Sequence, residues 1–406
     1  MKILYISDYL PFPLNSGANL RIFNLIKGLS RKNEITLCSL YWENDKEQQD
    51  IAVKGLSTIC KRIETAPITE KSKLAHFPGL IKFALTGKPL ETKFYYSPIL
   101  AQKIHSLTKK NQYDIIQIEH SHMAMYIDCI DKHQTAKKIL TFHNIIFDQN
   151  KSLYKIMQGF ENKIRCWIAT QQMEAWEPRI ARRFDRCITV SERDRQLIIH
   201  AAPGLKVDVI PNGVDTKTLQ PLMKNVEKPA LIFVGSMDYP PAVDASVYFC
   251  SQVLPLIRKK VPEVGVWLVG RNPTQEIKDL GKDDAHIHVT GMVDSVIDYY
   301  EKATITIVPL RAGGGTRLKI LESMALGKPI VSTSIGCEGI NVEDGKNILI
   351  ADTPELFSEY IIQLMESELL RNKITTEARK LVESTYDWQI LSDHLTEIYQ
   401  DVLVKK

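Results

Sequence analysis

The chain has 406 residues, of which 44% are apolar and 25% charged, and its formal net charge is +4. This composition excludes an intrinsically disordered chain, and so small a charge gives no support for nucleic-acid binding. The length predicts two domains with separate cores. Seven scattered cysteines without a C-x-x-C pair indicate a reducing compartment, and the N-terminal MKILYISDYL has the pattern of a strand rather than a signal peptide. We therefore expect a cytoplasmic protein without a transmembrane segment.

The first elements form a strand–loop–helix–strand unit. Lys2 to Ser7 is predicted to be a strand, followed by a helix from about Ala18 to Arg31 and a strand from Ile35 to Leu40. Such a unit predicts a parallel sheet. The loop DYLPFPLNSG lacks G-x-G-x-x-G, so nothing here indicates a dinucleotide cofactor. Gly17, just before the helix, is a point where a ligand could approach the backbone, although an ordinary turn explains it equally well.

Residues 61–110 have a different composition. They hold ten Lys and Arg against three Glu, and Phe and Tyr are interleaved among them. Basic residues with aromatic neighbours suit the surface of an anionic membrane, so we expect a peripheral contact at the inner face of the plasma membrane. A solvated helical face with its core side is the alternative interpretation.

Histidines follow strands in the middle of the chain. Strands are predicted at Asp114–Glu119, Lys138–His143, Cys187–Ser191 and Val207–Pro211. His120, His122 and His143 lie at or near strand ends, where open α/β sheets bind their ligands. Because no carboxylate–histidine set with a familiar metal spacing accompanies them, we predict no metal site. His143 closes an apolar strand and is the best candidate for a polar contact in a cleft, with a satisfied structural histidine as the alternative.

A second α/β pattern begins after a turn, and we place the domain boundary near Asn212. Further strands are predicted at 230–235, 265–270, 286–290, 304–308, 329–333 and 347–351, with helices between them. Two serial α/β domains would leave a cleft between the carboxyl ends of their sheets. The last helix, from about Trp388 to Val404, has an apolar face that must be buried, on a domain that the pattern does not identify.

The stretch PLRAGGGTRLKILESMALGKPIVSTS, residues 309–334, is the strongest candidate for a ligand site. It has the pattern of a strand end, a glycine loop, a helix from about Leu318 to Leu326 and another strand. The amides and the dipole of a helix N-terminus attract anions. The helix is apolar almost all round, and its narrow polar stripe carries Lys319, Glu322 and Ser323. One cation and one carboxylate suit a ligand with phosphates and hydroxyls, although an ordinary loop followed by an i,i+3 Lys–Glu pair is the alternative.

Taken together, these motifs resemble those of the GT-B glycosyltransferases of family 4, over nearly the whole chain. The strongest part is PLRAGGGTRLKILESMALGKPIVST with the downstream GCEGI and DGKNILIAD. VIPNGVD, LIFVGSMDYPP, WLVGRNP, VTGMVD and YDW support it in the expected order. The GGGTRLKILE loop is similar to that of a bacterial branch associated with surface-polysaccharide assembly.

The resemblance implies an α/β fold with two Rossmann-like, doubly wound parallel-sheet domains that face a central cleft. Residues 1–212 together with the helix 388–406, which crosses back, would bind the acceptor, and residues 213–387 would bind the nucleotide sugar. The implied activity is metal-independent transfer of a sugar, with retention of configuration, from a UDP- or GDP-linked donor to a glycan or a lipid-linked acceptor. No cofactor is implied.

The resemblance also implies roles for single residues. Glu322 matches the second glutamate of the family's E-x7-E motif, which holds the donor ribose hydroxyls. Gly17 matches a loop glycine whose backbone faces the donor phosphate, and His143 matches a histidine near the transferred sugar. The remaining donor-binding positions lie in the loop after the first strand of the second domain and in the glycine loop with its helix start: Gly235, Ser236, Gly313, Gly314, Gly315, Thr316 and Leu318.

Two departures from the family pattern bear on these roles. Gly314 stands where the first glutamate of E-x7-E is expected, which leaves recognition of the donor sugar unassigned. The family's basic pair after Gly235 is also missing, so Arg317 and Lys319 are predicted to balance the leaving diphosphate, with Lys319 preferred. A catalytically silent GT-B subunit that binds a nucleotide sugar or a partner transferase, and a nucleotide-sugar epimerase, are the alternative functions.

Overall fold

The structure, a computed structural model, describes residues 1–14, 16–43, 46–68, 88–157, 159–222, 229–313 and 317–404. The chain forms two compact units. Unit 1 comprises Met1–Lys151, Phe160–Pro211 and Trp388–Lys406, and unit 2 comprises Ser152–Gly159 and Asn212–Asp387.

The sheet of unit 1 is parallel, and its described part has seven strands in the order β3-β2-β1-β4-β5-β6-β7. They are β1 (Lys2–Ser7), β2 (Glu34–Trp42), β3 (Arg62–Ile68), β4 (Ile115–Glu119), β5 (Lys137–Phe142), β6 (Arg186–Thr189) and β7 (Val207–Val209). The central strands are buried on both faces, which is why they are continuous apolar runs that sequence alone could find. The strand β3 was not predicted, because an edge strand tolerates the charged residues that open RIETAPI.

Helices cover the two faces of this sheet. They are α1 (Gly17–Leu29), α2 (Lys46–Leu56), α3 (Leu90–Phe94), α4 (Pro98–Lys110), α5 (Ile146–Ile156), α6 (Phe160–Ala181) and α7 (Glu192–Ala201), with a 3-10 segment at Ser121–Cys129. The end of α5, from Ser152, belongs to unit 2. The helix α1 begins at Gly17 itself because Ser16 caps it: the Ser16 side chain accepts a hydrogen bond from the Asn19 amide at 3.2 Å.

The last described helix, α15 (Trp388–Val404), belongs to unit 1 and packs against α1. Its buried face includes Leu395 and Tyr399. The two helices approach closely at Gly28, where an added Cβ atom would lie 2.3 Å from the Cβ of Ser392. This contact confirms the predicted return of the last helix to the N-terminal unit.

Unit 2 is built in the same way, and its described part has six parallel strands in the order β10-β9-β8-β11-β12-β13. They are β8 (Ala230–Val234), β9 (Gly265–Val269), β10 (Ile287–Gly291), β11 (Ile305–Val308), β12 (Ile330–Ser332) and β13 (Leu349–Ile350). The helices are α8 (Pro240–Tyr248), α9 (Leu254–Arg258), α10 (Gln275–Asp283), α11 (Ile297–Lys302), α12 (Leu318–Ala325), α13 (Pro354–Glu366) and α14 (Glu368–Leu381), with π-helical turns at Phe249–Val253 and Val382–Tyr386.

The helix α12 belongs to the predicted ligand site and is largely buried. Ile320, Leu321, Met324 and Ala325 are buried in the unit 2 core, as its apolar circumference predicts. Arg379 stabilises its C-terminal end by donating a hydrogen bond to the Ala325 carbonyl at 2.6 Å. Within the described ranges, no helix is both long and apolar enough to cross a bilayer.

Candidate functional site

In unit 2, two strand ends meet at a pair of glycines. Gly235 follows β8 and Gly270 follows β9. Gly270 has φ +155°, and an added Cβ atom would lie only 1.6 Å from the Gly235 carbonyl oxygen. Only glycine therefore permits this contact, which forms the carboxyl-end edge of the sheet, the usual ligand-binding edge of an α/β domain.

Lys319, in the first turn of α12, reaches this edge. Its Nζ lies 4.3 Å from the centre of the Phe233 ring and 3.2 Å from the place that a Cβ atom on Gly235 would occupy. Burial and the nearby Arg317 lower the pKa of Lys319 to about 7, against the opposing effect of Glu322. A bound anion would stabilise the charged ammonium here. The structure thus places Lys319 and Gly235 together.

Glu322 lies on the same helix, one turn after Lys319. Burial raises the pKa of its carboxyl group, while the Lys319 charge opposes that rise. An ionised carboxylate accepts two hydrogen bonds from a vicinal diol, so this pair offers a cation and a diol acceptor at one turn's spacing.

Arg317 stands at the N-terminal end of α12, beside the glycine loop. Its Nη2 lies 2.9 Å from the place of a Cβ atom on Gly313, whose φ is +119°. Glycine is therefore required at position 313 for the guanidinium group to pack there. Leu318 packs against the unit 2 core.

The other loop positions, Gly314, Gly315 and Thr316, lie outside the described residues. Their donor-binding roles remain predictions.

Arg271 is a further cation at this edge, and it was not predicted as a site residue. Arg271 directly follows Gly270, and its Nε donates to the Ser236 hydroxyl at 3.1 Å. Ser236 in turn donates to Asp238 at 2.7 Å. No basic residue directly follows β8 in the sequence, whereas the structure brings one to this edge from the end of β9. Arg271 is the arginine of the motif WLVGRNP, so the sequence shows this cation at the end of a predicted strand.

In unit 1, His143 follows β5 and is held by a buried carboxylate. Its Nε2 lies 2.7 Å from Oε2 of Glu119, at the end of the neighbouring β4. Burial and the Arg21 charge lower the pKa of His143 to about 3, while burial raises the pKa of Glu119. A neutral His143 that donates Nε2–H to Glu119 keeps Nδ1 as a hydrogen-bond acceptor. Sequence reasoning did not identify Glu119.

A chain of buried hydrogen bonds continues from Glu119 to the last helix. Glu119 Oε1 accepts from the Gln117 amide at 2.9 Å, and Gln117 Oε1 accepts from the Tyr399 hydroxyl at 3.0 Å. Tyr399 lies 3.1 Å from the Tyr5 hydroxyl of β1. The helix α15 therefore helps to fix the orientation of His143.

Asp8, His120 and His122 form a compact cluster beside His143. Their potential ligand atoms all lie within 4.8 Å of one another. His120 has the unusual φ of +69°, and its ring stacks on His143 with centroids 3.8 Å apart. Burial alone would raise the pKa of Asp8, but the three histidines hold it well below the usual range. Asp8 was not predicted to join the histidines, because Asp8 follows β1 whereas His120 and His122 follow β4.

The donor set of this cluster is chemically compatible with a transition metal. Two features favour a hydrogen-bonded pair of Asp8 and His122 instead: His122 Nε2 lies 3.2 Å from Asp8 Oδ2, and His122 Nδ1 has no hydrogen-bond partner among the described residues. His120 Nε2, 3.7 Å from Asp8 Oδ1, is likewise buried without a hydrogen-bond partner there. Metal-binding histidines usually anchor their second ring nitrogen. The absence of a metal stays a prediction.

Gly17 is solvent-exposed at the N-terminus of α1, which leaves its backbone open to a ligand. Its predicted contact with a phosphate stays a prediction.

Two family models cover most of the chain. One described as Glycosyltransferase Family 4 matches residues 15–218, half of the chain, and one described as Glycosyl transferases group 1 matches residues 228–367. The chain is similar to a 44.6 kDa protein in the cps region of Klebsiella pneumoniae, with 24% identity over 95% of this chain and 96% of the relative. It is 26% identical to the D-inositol 3-phosphate glycosyltransferase of Acidothermus cellulolyticus, over 55% and 54% of the two chains.

Solved structures resemble the whole chain. Sucrose-phosphate synthase from Thermosynechococcus elongatus has a TM-score of 0.72 at 14% identity and is covered over 100% of both chains. Anabaena HepE in complex with UDP-glucose has a TM-score of 0.67 at 16% identity, over 99% of this chain and 100% of that one. A variant of S. aureus TarM in complex with fondaparinux, α-GlcNAc-glycerol and UDP has a TM-score of 0.68 at 13% identity, over 100% of both. At these identities the similarity shows a shared fold and nothing about a shared substrate.

Proposed function

The chain belongs to glycosyltransferase family 4 and has the GT-B fold, and from this premise we propose that it transfers a sugar, with retention of configuration, from a nucleotide diphosphate sugar to a glycan or lipid-linked acceptor. The observation that carries the proposal is the placement of Lys319 Nζ beside Gly235, with Glu322 one helical turn away. The nucleotide-bound structures of HepE and TarM support a UDP-linked donor.

In the proposed reaction, unit 2 binds the donor. Glu322 accepts hydrogen bonds from the ribose hydroxyls, and the amides of the glycine loop, Lys319 and Arg317 face the diphosphate. Arg271 adds a further cation at the same edge of the sheet. The bond between the anomeric carbon and the diphosphate breaks, and negative charge accumulates on the phosphate oxygens. Fixed cations and amides lower the barrier by stabilising that charge, so this proposal needs no divalent metal.

Unit 1 supplies the environment of the acceptor and of the transferred sugar. The acceptor oxygen forms its bond to the anomeric carbon on the face that the diphosphate leaves, and its proton passes to the departing phosphate. No protein nucleophile is required. His143, neutral and oriented by Glu119, offers Nδ1 as a hydrogen-bond acceptor for a sugar hydroxyl.

Glu119→Gln tests this orienting role. We expect kcat to fall about tenfold, because an amide side chain no longer fixes a single tautomer of the imidazole. In a His143→Ala background the same substitution should have no further effect on kcat, since the two residues act as a unit. Steady-state kinetics on the four variants of this cycle provide the measurement. Additive losses would show that Glu119 acts independently of His143.

Two measurements test the function itself. First, the apparent melting temperature should rise with UDP or GDP species and with the matching nucleotide sugar, since these bind the native state. Second, single-turnover incubation with a labelled donor in the presence of EDTA should release free sugar slowly, or transfer it when acceptor is added. Binding without turnover would favour the silent subunit, an alternative that the replacement of the first motif glutamate by Gly314 supports. A changed sugar on the intact nucleotide would favour an epimerase.

We propose synthesis of surface polysaccharide as the role, on the basis of the similarity to the protein in the cps region. A lipid-linked acceptor would bring the enzyme to the membrane. The basic and aromatic segment 61–110 was predicted to make that contact, and its residues 69–87 lie outside the described residues.

A further inference from the structure

The helix α6 has two apolar faces, of which one is firmly packed. Met173, Trp176 and Ile180 are buried and face the 3-10 segment Ser121–Cys129 and the unit 1 core. The buried Glu177 carboxylate accepts hydrogen bonds from the Ser121 hydroxyl at 2.7 Å and from the Phe147 amide at 3.1 Å. These contacts fix the rotation of the helix about its axis.

The opposite face presents large apolar side chains to solvent. The exposed fractions are 82% for Phe160, 41% for Ile164, 56% for Trp167 and 41% for Ile168. At about 100° per residue, these four side chains fall within an arc of about 100° centred roughly opposite the buried face. None of residues 160–169 is buried, so the first half of the helix stands clear of the core. A contiguous exposed stripe of this kind marks an interaction surface.

The net charge of unit 1 favours an anionic partner. Beside the stripe itself, Lys163 lies on one side, and on the other side Arg165 forms an ion pair with Glu161. Unit 1 as a whole carries 32 Lys and Arg against 24 Asp and Glu, a formal net charge of +8, whereas unit 2 carries 20 against 24, a net charge of −4. The unit that holds the stripe is therefore the one with a positive net charge.

The neighbouring elements extend the same chemistry. The helix α3 adjoins α6, because the Leu90 amide donates to the Gln172 side chain at 3.1 Å. Phe94 and Tyr96, at the end of α3, are also exposed large side chains. Aromatic side chains with interspersed cations are the composition of surfaces that lie in the interfacial region of an anionic bilayer.

We infer that the outer face of α6, formed by Phe160, Ile164, Trp167 and Ile168, docks unit 1 onto an anionic lipid bilayer. The helix lies along the bilayer surface, its apolar stripe enters the headgroup and acyl boundary, and the positive net charge of unit 1 attracts it to the lipid phosphates. This inference deepens the proposed function, since it names the surface that would bring the enzyme to a lipid-linked acceptor. It differs from the sequence-based expectation, which placed the contact in residues 61–110.

Vesicle flotation of the whole protein tests the inference. We compare phosphatidylcholine vesicles that contain phosphatidylglycerol with vesicles of phosphatidylcholine alone. The wild type should bind the anionic vesicles preferentially, and raised salt should weaken binding. Phe160→Ser combined with Trp167→Ser should reduce the partition coefficient by at least about tenfold, because two aromatic anchors are lost. The matched control is Leu369→Ser on α14 of unit 2, which removes an apolar side chain of the same 82% exposure and should leave binding unchanged.

Both variants change solvent-exposed side chains, so unchanged melting temperatures will show that they fold. Equal binding of wild type and double variant, or no binding of the wild type, would overturn the inference. A halved mass of the double variant in light scattering would also overturn it, since the stripe would then join two copies of the chain. Sugar transfer to a soluble acceptor does not require membrane binding. A negative flotation result would therefore contradict the membrane inference without contradicting the proposed transferase activity.

Discussion

Replacing Lys319 with alanine is expected to lower kcat by about two to three orders of magnitude, the usual cost of removing one group that stabilises transition-state charge. Lys319 Nζ lies at the edge formed by Gly235 and Gly270, where the diphosphate is proposed to bind. Steady-state kinetics with saturating donor give the measurement. Lys282→Ala is the matched control, because that exposed lysine of α10 pairs with Asp279 away from the glycines. Activity of Lys319→Ala within a few-fold of wild type would exclude the proposed role.

The same substitution has a distinct effect on stability. The pKa of Lys319 is about 7 in the folded chain and 10.5 for an ordinary lysine. Between these values the unfolded chain binds more protons at this position, so this residue makes the free energy of unfolding increase as pH rises from 7 to 10.5. The melting temperature of the wild type relative to Lys319→Ala should therefore increase over this range. A constant difference would show that the lysine titrates normally in the free protein.

Glu322→Ala should weaken nucleotide binding about a hundredfold. Two charge-assisted hydrogen bonds to the ribose hydroxyls are each worth about 1.5–3 kcal/mol, part of which water replaces. The loss should be the same for UDP and GDP species, because ribose is common to both. Titration calorimetry measures it, with the exposed Glu276→Ala on α10 as the control.

The melting temperature of Glu322→Ala shows whether the substitution affects folding as well as nucleotide binding. Burial raises the pKa of Glu322, so the folded chain binds more protons here than the unfolded chain, and the melting temperature of the wild type relative to Glu322→Ala should fall as pH rises above 4.5. An unchanged nucleotide affinity in Glu322→Ala would contradict the donor-site assignment.

Sequence alone was sufficient for the features that repeat along the chain. Buried parallel strands are apolar runs, and α12 is apolar almost all round, so their positions and their burial could be predicted. The return of α15 to unit 1 followed from the family resemblance. The strand β3 was missed because its edge position relaxes that pattern.

The site residues that sequence missed depend on strand order. Asp8 meets His120 and His122 because β1 pairs with β4, and Glu119 meets His143 because β4 pairs with β5. Arg271 reaches Ser236 because β9 pairs with β8. These partners come from different strands, and spacing along the chain does not report such contacts. The exposed face of α6 was not predicted for a different reason. Apolar residues on both faces of a helix predict a buried helix, and only the structure shows that one face is exposed to solvent.

The return of α15 to α1 has a consequence for synthesis on the ribosome. Unit 1 contains residues from both before and after unit 2, so the ribosome must complete unit 2 before it makes the helix that covers α1. Until then, the apolar positions that Leu391, Leu395 and Tyr399 occupy are open on the nascent chain. Both segments of unit 2, Ser152–Gly159 and Asn212–Asp387, are made before α15, so unit 2 can fold while unit 1 still lacks its last helix. During that interval the apolar face of α1 stays uncovered, and transiently exposed apolar surface makes a nascent chain prone to aggregation.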